Sequence, residues 1–226
     1  MTQVEAQRQA PAEAATVFVI DDDPSMRDSL RWLIESVGYA VQVYKNADEF
    51  MEQFQADVPG CLVLDVRMPG TSGMELLETL KNRGVQVPII IISGHGDVPM
   101  AVQALKRGAM DFLEKPFRDQ ELLEQIAKAI EADRARRRQA QSIASIQERL
   151  ATLTPREREV MDLVVDGYAN KQVAARLGLS EKTIEVHRSR VMKKMRARTL
   201  PCLVKMAIAA GVTQATDCAD EDPSAD

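Results

Sequence analysis

Several features are scarce in this 226-residue chain, and each scarcity argues against a class of protein. Its three cysteines are scattered and form no CxxC pair, and there are only two histidines, so neither a disulfide framework nor a zinc site is expected. This cysteine usage fits a reducing cytoplasm. No apolar run is long enough to span a membrane. Residues 1–15 have neither a basic start nor an apolar stretch, so they predict a disordered leader and not a secretory signal.

Charge is divided unevenly along the chain, although the formal net charge is only −5. Residues 1–132 carry 12 Lys and Arg against 21 Asp and Glu, a net charge of −9. Residues 151–212 carry 12 basic and six acidic residues, a net charge of +6. Residues 213–226 hold five acids and no base, and they predict an acidic, disordered tail. An acidic half joined to a basic half indicates that one part meets cations and the other meets polyanions.

Residues 16–130 alternate strand and helix patterns. The continuous apolar runs are typical of parallel strands that are covered on both faces. These runs are 17–20, 61–64 and 88–92, while the stretch 39–44 alternates more and 111–113 is a short fifth strand. Between them lie amphipathic helices, two of which begin with the capping-box pairs Asn46/Glu49 and Ser72/Glu75. A further helix is predicted to start near Pro99. Five such units predict a doubly wound α/β domain with a five-stranded parallel sheet.

The fifth helix pattern begins near Asp119 and does not stop where a compact domain would end. The core stripe that ends at Ile130 is followed by the charged run "DRARRRQAQ" and then by further apolar positions at Ile143, Ile146 and Leu150. We predict a helical linker over 131–150. It either pairs with a second copy of the chain or forms a solvated, charged helix.

From Leu153 onward the pattern is entirely helical. Thr154, Pro155 and Glu157 mark a helix start. A short helix over about 170–177, the turn "GLS" and a longer helix from Glu181 to about 197 give the helix-turn-helix pattern. Residues 151–212 are therefore predicted to form an all-α domain.

Acidic side chains follow two strands that should be neighbours in the sheet. Asp21 and Asp22 follow the first strand, and Asp65 follows the third. Since function gathers at the carboxyl ends of parallel strands, these three acids should converge into an oxygen-rich site for Mg²⁺, which would offset their repulsion. Ser93 and Lys115 end neighbouring segments at the same edge, where a phosphoryl group on Asp65 would need a hydroxyl and an ammonium. The pattern leaves the role of Asp23 open.

The segments "VIDDD", "LVLDVRMPGTSGMELL", "IISGHGD" and "DFLEKPF" resemble, in this order, the receiver domain of two-component response regulators. The resemblance covers about 16–130 and implies a flavodoxin-like fold. It implies Asp65 as phospho-acceptor, and Mg²⁺ held by Asp21, Asp22, Asp65 and the backbone carbonyl of Arg67. It further implies that Ser93, Phe112 and Lys115 contact the phosphoryl group or act as switch residues, with a cis peptide between Lys115 and Pro116.

The stretch "LTPREREVMDLVVDGYANKQVAARLGLSEKTIEVHRSRVMKKM" is similar to the DNA-binding domain of the NarL/FixJ, LuxR-type regulators. On the longer helix Ile184, Val191 and Met195 share one face, and Val186 lies on the opposite, polar face. In a major groove Val186 would meet a thymine methyl and Glu185 would accept from a cytosine amino group. The candidate DNA-contacting residues are Asn170, Lys171, Lys182, Thr183, Glu185, Val186, Arg188, Ser189, Arg190, Lys193 and Lys194.

Together these resemblances imply a transcription factor, not an enzyme, switched by a sensor histidine kinase that phosphorylates Asp65. Dimerisation through the fourth helix and fifth strand, and possibly through the linker helix, would present two recognition helices to promoter DNA. RNA polymerase is the further partner expected. Two rivals remain at this point. One is an aspartate-nucleophile phosphohydrolase, which would normally carry an acid where this chain has Arg67. The other is a DNA-binding or docking module that works without phosphorylation.

Overall fold

The computed structural model describes residues 15–55, 57–94 and 98–212. The predicted leader and acidic tail lie outside these residues, except that Ala15, assigned to the leader, is buried. The chain divides into two compact units, Met1–Arg137 and Arg138–Asp226, called the first and second unit below. None of the helices in the described ranges combines the length and the apolar character needed to cross a membrane.

The first unit is a five-stranded parallel sheet with helices on both faces, as predicted. The strand order is β2-β1-β3-β4-β5. The strands are β1 (Thr16–Ile20), β2 (Ala40–Tyr44), β3 (Gly60–Asp65), β4 (Ile89–Ser93) and β5 (Asp111–Glu114). The helices are α1 (Pro24–Ser36), α2 (Ala47–Gln53), α3 (Gly73–Asn82), α4 (Val98–Arg107) and α5 (Asp119–Ala151). Pro88, predicted as the start of the fourth strand, precedes β4, although its carbonyl accepts a hydrogen bond from the Leu62 N–H.

Two apolar clusters, one on each face of the sheet, explain why the three central strands β1, β3 and β4 are buried throughout. Because alternate side chains point to opposite faces, Phe18 and Ile20 pack against α2 and α3, whereas Val17 and Val19 pack against α1 and α5. Ser72 and Glu75 form the predicted capping box of α3. In α2, Asn46 caps the helix as predicted, but Glu49 accepts from the Lys45 N–H and closes no reciprocal box.

The charged run in α5 is partly a structural element of the first unit. Asp133 is fully buried and accepts hydrogen bonds from the Gly60 N–H, at 3.1 Å, and from the guanidinium groups of Arg136 and Arg137. Arg137 also donates to the carbonyl of Val58 at 3.0 Å. We call Asp133, Arg136 and Arg137 the α5 clamp. The predicted linker, 131–150, is therefore not a solvated helix throughout, because its first residues are pinned to the start of β3.

The second unit is a helical bundle whose core includes the last turns of α5. Ile146 and Leu150 are buried there with side chains from all the later helices. These helices are α6 (Pro155–Val165), α7 (Asn170–Leu177), α8 (Glu181–Met195) and α9 (Leu200–Ala209). Thr154 and Glu157 form the predicted capping box. The longer helix ends at Met195, two residues before the predicted end, because Arg196 turns the backbone into the left-handed region with φ 54°.

Candidate functional site

The carboxyl ends of β1 and β3 bring two carboxylates together. Ile20 of β1 pairs with Leu64 of β3 in parallel register. Asp21 follows Ile20 and Asp65 follows Leu64, so both acids lie at the same edge of the sheet. Both side chains are buried. Gly73, the first residue of α3, allows this helix to approach closely, because a Cβ there would lie 2.2 Å from the Asp65 carbonyl oxygen. The two acids therefore share one enclosed site, as the sequence predicts.

Lys115 lies between these carboxylates. Its Nζ is 2.7 Å from Asp21 Oδ2 and 2.7 Å from Asp65 Oδ1. Parallel pairing of β4 with β5 positions Lys115, because its backbone N–H donates to the Ser93 carbonyl at 2.8 Å. The Lys115–Pro116 peptide is cis, as predicted.

The charges in this site shift one another's protonation. Burial raises the pKa of Asp65 above its ordinary value, and the Lys115 ammonium offsets only part of that effect. Burial alone would lower the pKa of Lys115, but its hydrogen bonds to Asp21 and Asp65 and their negative charges outweigh burial and hold that pKa above the ordinary value. The lysine therefore stays protonated as the counter-charge of the two acids.

The three consecutive aspartates have three different environments. Asp21 Oδ1 accepts from the Asp23 N–H at 2.9 Å, and the Asp21 carbonyl accepts from Arg27 at 2.6 Å. Asp22 is exposed. Asp23, whose role the sequence left open, caps α1 by accepting from the Ser25 N–H at 2.9 Å. Only the first of the three is built into the buried site.

The predicted convergence of three carboxylates takes a different form in the structure. Within residues 15–55, 57–94 and 98–212, no group of three or more His, Cys, Asp and Glu side chains is arranged to hold a metal ion. The positive charge that offsets the repulsion of Asp21 and Asp65 is the Lys115 ammonium. The donor set nevertheless fits Mg²⁺, which is held in proteins through one or two carboxylates and keeps several waters.

The other predicted site residues lie on or next to the strands beside this pair of acids: Arg67 follows Asp65 by two residues, Ser93 ends β4, and Phe112 lies within β5. Ser93 is the last residue of β4 and is 0% exposed, with its Oγ 4.0 Å from Met100 Sδ of α4. Phe112 of β5 is half-buried against the cluster that contains α4. The Arg67 N–H donates to Asp65 Oδ2 at 2.7 Å, while its side chain is exposed. Both oxygens of Asp65 are thus held by donors.

In the second unit, the predicted DNA-facing residues of α8 lie mostly at the surface. Ile184, Val191 and Met195 are buried, as predicted, and Val186 on the opposite face is 45% exposed. The exposed polar and basic candidates are Lys171, Lys182, Glu185, Ser189, Arg190 and Lys193. Thr183 is half-buried at the helix start, where its N–H donates to Ser180 Oγ at 3.2 Å.

Some charged residues of this unit have structural partners that the sequence did not predict. Arg188 donates to Asn170 Oδ1 at 2.8 Å, which joins α8 to α7, and does not pair with Glu185. Lys194, predicted as a phosphate contact, instead donates to Glu157 Oε2 at 2.6 Å and to the Thr152 carbonyl at 2.9 Å. The capping-box pattern that identified Glu157 was the only sequence signal for this ion pair.

Glu157 is buried, and its hydrogen bonds favour the charged form. The bond from Lys194, together with the bond from the Thr154 N–H, lowers the pKa of Glu157 to about 2. Arg149, near the end of α5, donates to the Met195 carbonyl at the end of α8. Arg149 and Lys194 therefore tie the end of α8 to the end of α5 and to α6.

Two protein families match this chain. Residues 17–127 match the model of the response regulator receiver domain, and residues 151–207 match that of the bacterial regulatory proteins of the luxR family. Nodulation protein W of Bradyrhizobium diazoefficiens is 50% identical over 199 residues, which are 88% of this chain and 88% of that protein. The transcriptional regulatory protein FixJ of Azorhizobium caulinodans is 47% identical over 208 residues, covering 91% of this chain and 97% of that protein.

A solved structure matches most of the chain as well. The low-resolution structure of response regulator StyR has 42% sequence identity and a TM-score of 0.78, and the match covers 86% of this chain and 98% of that one. The order of the two family matches agrees with the order of the two units.

Proposed function

The chain belongs to the two-component response regulators that join a receiver domain to a LuxR-type DNA-binding domain, and from this premise we propose that phosphorylation of Asp65 switches its DNA binding. Its relatives are transcriptional regulators, so it is a regulator and not an enzyme. This family membership removes the phosphohydrolase rival. The observation that carries the proposal is the bridge from Lys115 Nζ to Asp21 and Asp65, at 2.7 Å each.

In the proposed transfer, a carboxylate oxygen of Asp65 attacks the phosphorus of a phosphohistidine on a sensor kinase. A P–O bond forms, the P–N bond breaks, and the imidazole nitrogen keeps the electron pair. Lys115 already donates to Asp65 and would stabilise the oxygens of the transferred group. Asp21, Asp22, Asp65 and the Arg67 carbonyl would hold the Mg²⁺ that receiver domains generally bind. The metal would supply positive charge for the phosphoryl oxygens.

The switch would begin with the contacts that Lys115 and Ser93 make. A phosphoryl group on Asp65 would compete for the ammonium of Lys115 and draw the hydroxyl of Ser93. Ser93 lies beside Met100 of α4, so its movement would change how α4 packs, and Phe112 would follow. The modification would in this way shift an equilibrium between two arrangements of the face made by α4 and β5.

The output step joins two chains and places two copies of α8 on DNA. The exposed apolar residues Val98, Val102 and Leu105 form a stripe on α4 that supports dimerisation through this face. Two recognition helices would then read a two-fold symmetric promoter site. Asn170, Lys171, Lys182, Thr183, Arg188, Ser189, Arg190 and Lys193 would position the helix or contact bases beside Glu185 and Val186. RNA polymerase is the partner through which transcription would respond.

Intact-protein mass after incubation with Mg²⁺ and a small acyl phosphate tests this proposal, with light scattering on the same samples. We expect one added phosphoryl group and a shift from monomer to dimer. Asp65→Asn should abolish both, because it removes the nucleophilic carboxylate. Asp28→Asn, at an exposed position on α1, is the matched control and should be modified like the wild type. A well-folded wild type that no phosphodonor or cognate kinase modifies would contradict the proposal and favour a phosphorylation-independent module.

A further inference from the structure

The second unit carries an excess of unpaired positive charge. Residues 151–212 of this unit contain twelve Lys and Arg but six Asp and Glu. Three of these acids, Glu157, Glu159 and Asp162, form ion pairs with cations of the same unit. The other nine cations make no ion pair with any residue that the structure describes. They are Lys171, Arg176, Lys182, Arg188, Arg190, Lys193, Arg196, Arg198 and Lys205.

Most of this unpaired charge is exposed on α7 and α8. Lys171, Lys182, Arg190 and Lys193 are all at the surface of these two helices. We call these four residues the basic face. Arg176 of α7 is exposed as well, and its guanidinium lies 4.0 Å from the centroid of the Tyr168 ring, where it keeps its charge. The basic face is therefore suited to bind a polyanion.

A polyanion is encoded in the same chain. The acidic tail, residues 213–226, contains five acids, three of them consecutive, and no base. It directly follows Val212, whose N–H donates to the Ala207 carbonyl at the end of α9 and so anchors the tail to the second unit. Fourteen extended residues reach about 45 Å, whereas a unit of this size is roughly 30 Å across. The basic face lies within reach of the tail.

We propose that the acidic tail binds the basic face of its own chain and competes there with DNA. This inference rests on the proposed DNA binding by α7 and α8 and names a regulator of that site. Tethering gives the tail an effective concentration in the millimolar range, so weak binding of carboxylates is enough to occupy the face part of the time. DNA, with its denser charge, displaces the tail, and the competition selects against weak, non-specific DNA contacts.

The test compares the wild type with a full-length variant whose tail is neutralised but keeps its length. The substitutions are Asp217→Asn, Asp220→Asn, Glu221→Gln, Asp222→Asn and Asp226→Asn. Affinity for a fluorescent mixed-sequence duplex is measured by anisotropy at about 50 mM salt and again near 0.5 M salt. We expect the variant to bind about two- to tenfold more tightly at low salt, and the difference to vanish at high salt because the charges are screened.

A matched control separates tail binding from the change in net charge. Five exposed acids of the first unit are neutralised instead, which changes the net charge by the same amount. The substitutions are Asp28→Asn, Glu35→Gln, Asp48→Asn, Glu52→Gln and Glu124→Gln. This control should bind the duplex like the wild type. Equal tightening in both variants, or no tightening in the tail variant, overturns the inference and leaves a tail that only aids solubility.

A second measurement needs no DNA and so distinguishes failure of the inference from failure of the proposed DNA binding. A synthetic peptide of residues 213–226 is added to the full-length tail variant, and NMR chemical shifts are recorded. Shift changes centred on Lys171, Lys182, Arg190 and Lys193, absent with the neutralised peptide, are expected. Shift changes elsewhere, or none, overturn the inference. Absence of duplex binding by every variant would instead contradict the DNA-binding role.

Discussion

At the scale of single residues, two lysines that look alike in the sequence have different structural roles. Lys115 stays within the buried site and bridges two carboxylates on neighbouring strands. Lys194 belongs to the basic sequence "MKKM" but turns away from the expected phosphate contacts and pairs with buried Glu157. Its neighbour Lys193 is exposed. In a helix a step of one residue changes the face by about 100°, so adjacent lysines have different partners.

Glu157 should make the second unit sensitive to acid. Its folded-state pKa, about 2, lies below the ordinary value of 4.5, so its stabilising contribution is complete above pH 4.5 and is lost as the pH falls towards 2. Glu157→Gln should lower the free energy of unfolding by about 1.5–3 kcal/mol at neutral pH, because a charged hydrogen bond is lost. The variant should also show a weaker dependence on pH in this window.

Urea titrations in which hydrogen-exchange mass spectrometry monitors peptides from α6 and α8 measure this loss of stability within the second unit. Glu159→Gln is the control, because Glu159 is exposed and pairs with Arg156 at the surface, where an ion pair contributes less than about 1 kcal/mol. Equal stability of Glu157→Gln and the wild type at neutral pH would show that the buried pair contributes nothing.

At the scale of secondary structure, α5 is a helix of 33 residues with two differently anchored parts. The α5 clamp holds its first part to the start of β3, and Ile146 and Leu150 belong to the core of the second unit. Burial would raise the pKa of Asp133, but its hydrogen bonds to Arg136, Arg137 and the Gly60 N–H hold that pKa below its ordinary value. The charged run thus contains a buried, ionised carboxylate whose negative charge is compensated by two arginines.

Asp133→Asn should destabilise the first unit by about 1.5–3 kcal/mol, because the buried side chain loses its charge-assisted hydrogen bonds to the partly exposed Arg136 and Arg137. Cys61, the neighbour of Gly60, reports this change. Its thiol is 0% exposed, and burial, together with the charge of Asp133, raises its pKa to about 12, so alkylation requires opening of the unit. Site-resolved alkylation of Cys61 should therefore be faster in the variant.

Glu124→Gln is the control for this prediction, since Glu124 is exposed on the same helix and accepts a hydrogen bond from Gln120 at 3.0 Å, away from the α5 clamp. It should leave Cys61 alkylation unchanged. If Asp133→Asn and Glu124→Gln both alkylate at the wild-type rate, the clamp does not stabilise the first unit.

At the scale of the whole molecule, the proposed function requires that one modified side chain alter the association of two chains. The exposed apolar stripe on α4 is the feature of the described first unit that best supports such an association. Ser93 connects it with the proposed phosphorylation site through Met100. The apolar stripe and the two acids lie on elements that pack together. A structural change at the acids can therefore be transmitted to the stripe through packed side chains.

Leu105→Glu should weaken dimerisation of the phosphorylated chain at least tenfold, because it places a charge in an apolar contact, and should leave phosphorylation of Asp65 intact. Intact mass and analytical ultracentrifugation measure the two properties on one sample. Val37→Glu is the matched control, as Val37 is also an apolar residue 48% exposed on the first unit but lies at the end of α1. A phosphorylated Leu105→Glu chain that dimerises like this control would exclude the α4 face.

Local patterns in the sequence determined most of the secondary structure. Three apolar runs, the alternating stretch 39–44 and the short segment 111–113 predicted five parallel strands to within one residue, and Ser72 and Thr154 marked helix starts correctly. These features depend on side-chain alternation and on hydrogen bonds within four residues, which the sequence records directly. The resemblance to receiver and LuxR-type domains predicted which domain comes first along the chain, and both family matches confirm that prediction.

Only the tertiary structure decided which distant polar groups meet. Lys115 reaches Asp21 across 94 positions, Gly60 donates to Asp133 across 73, and Lys194 reaches Glu157 across 37. Spacing along the chain carries no record of such pairs, because they depend on strand order and on the rotation of each helix about its axis. The sequence by itself therefore determined the elements and placed Lys115 at the same edge of the sheet as the acids, whereas the fold decided that Lys115 itself bridges Asp21 and Asp65, the counter-charge that the sequence had assigned to Mg²⁺.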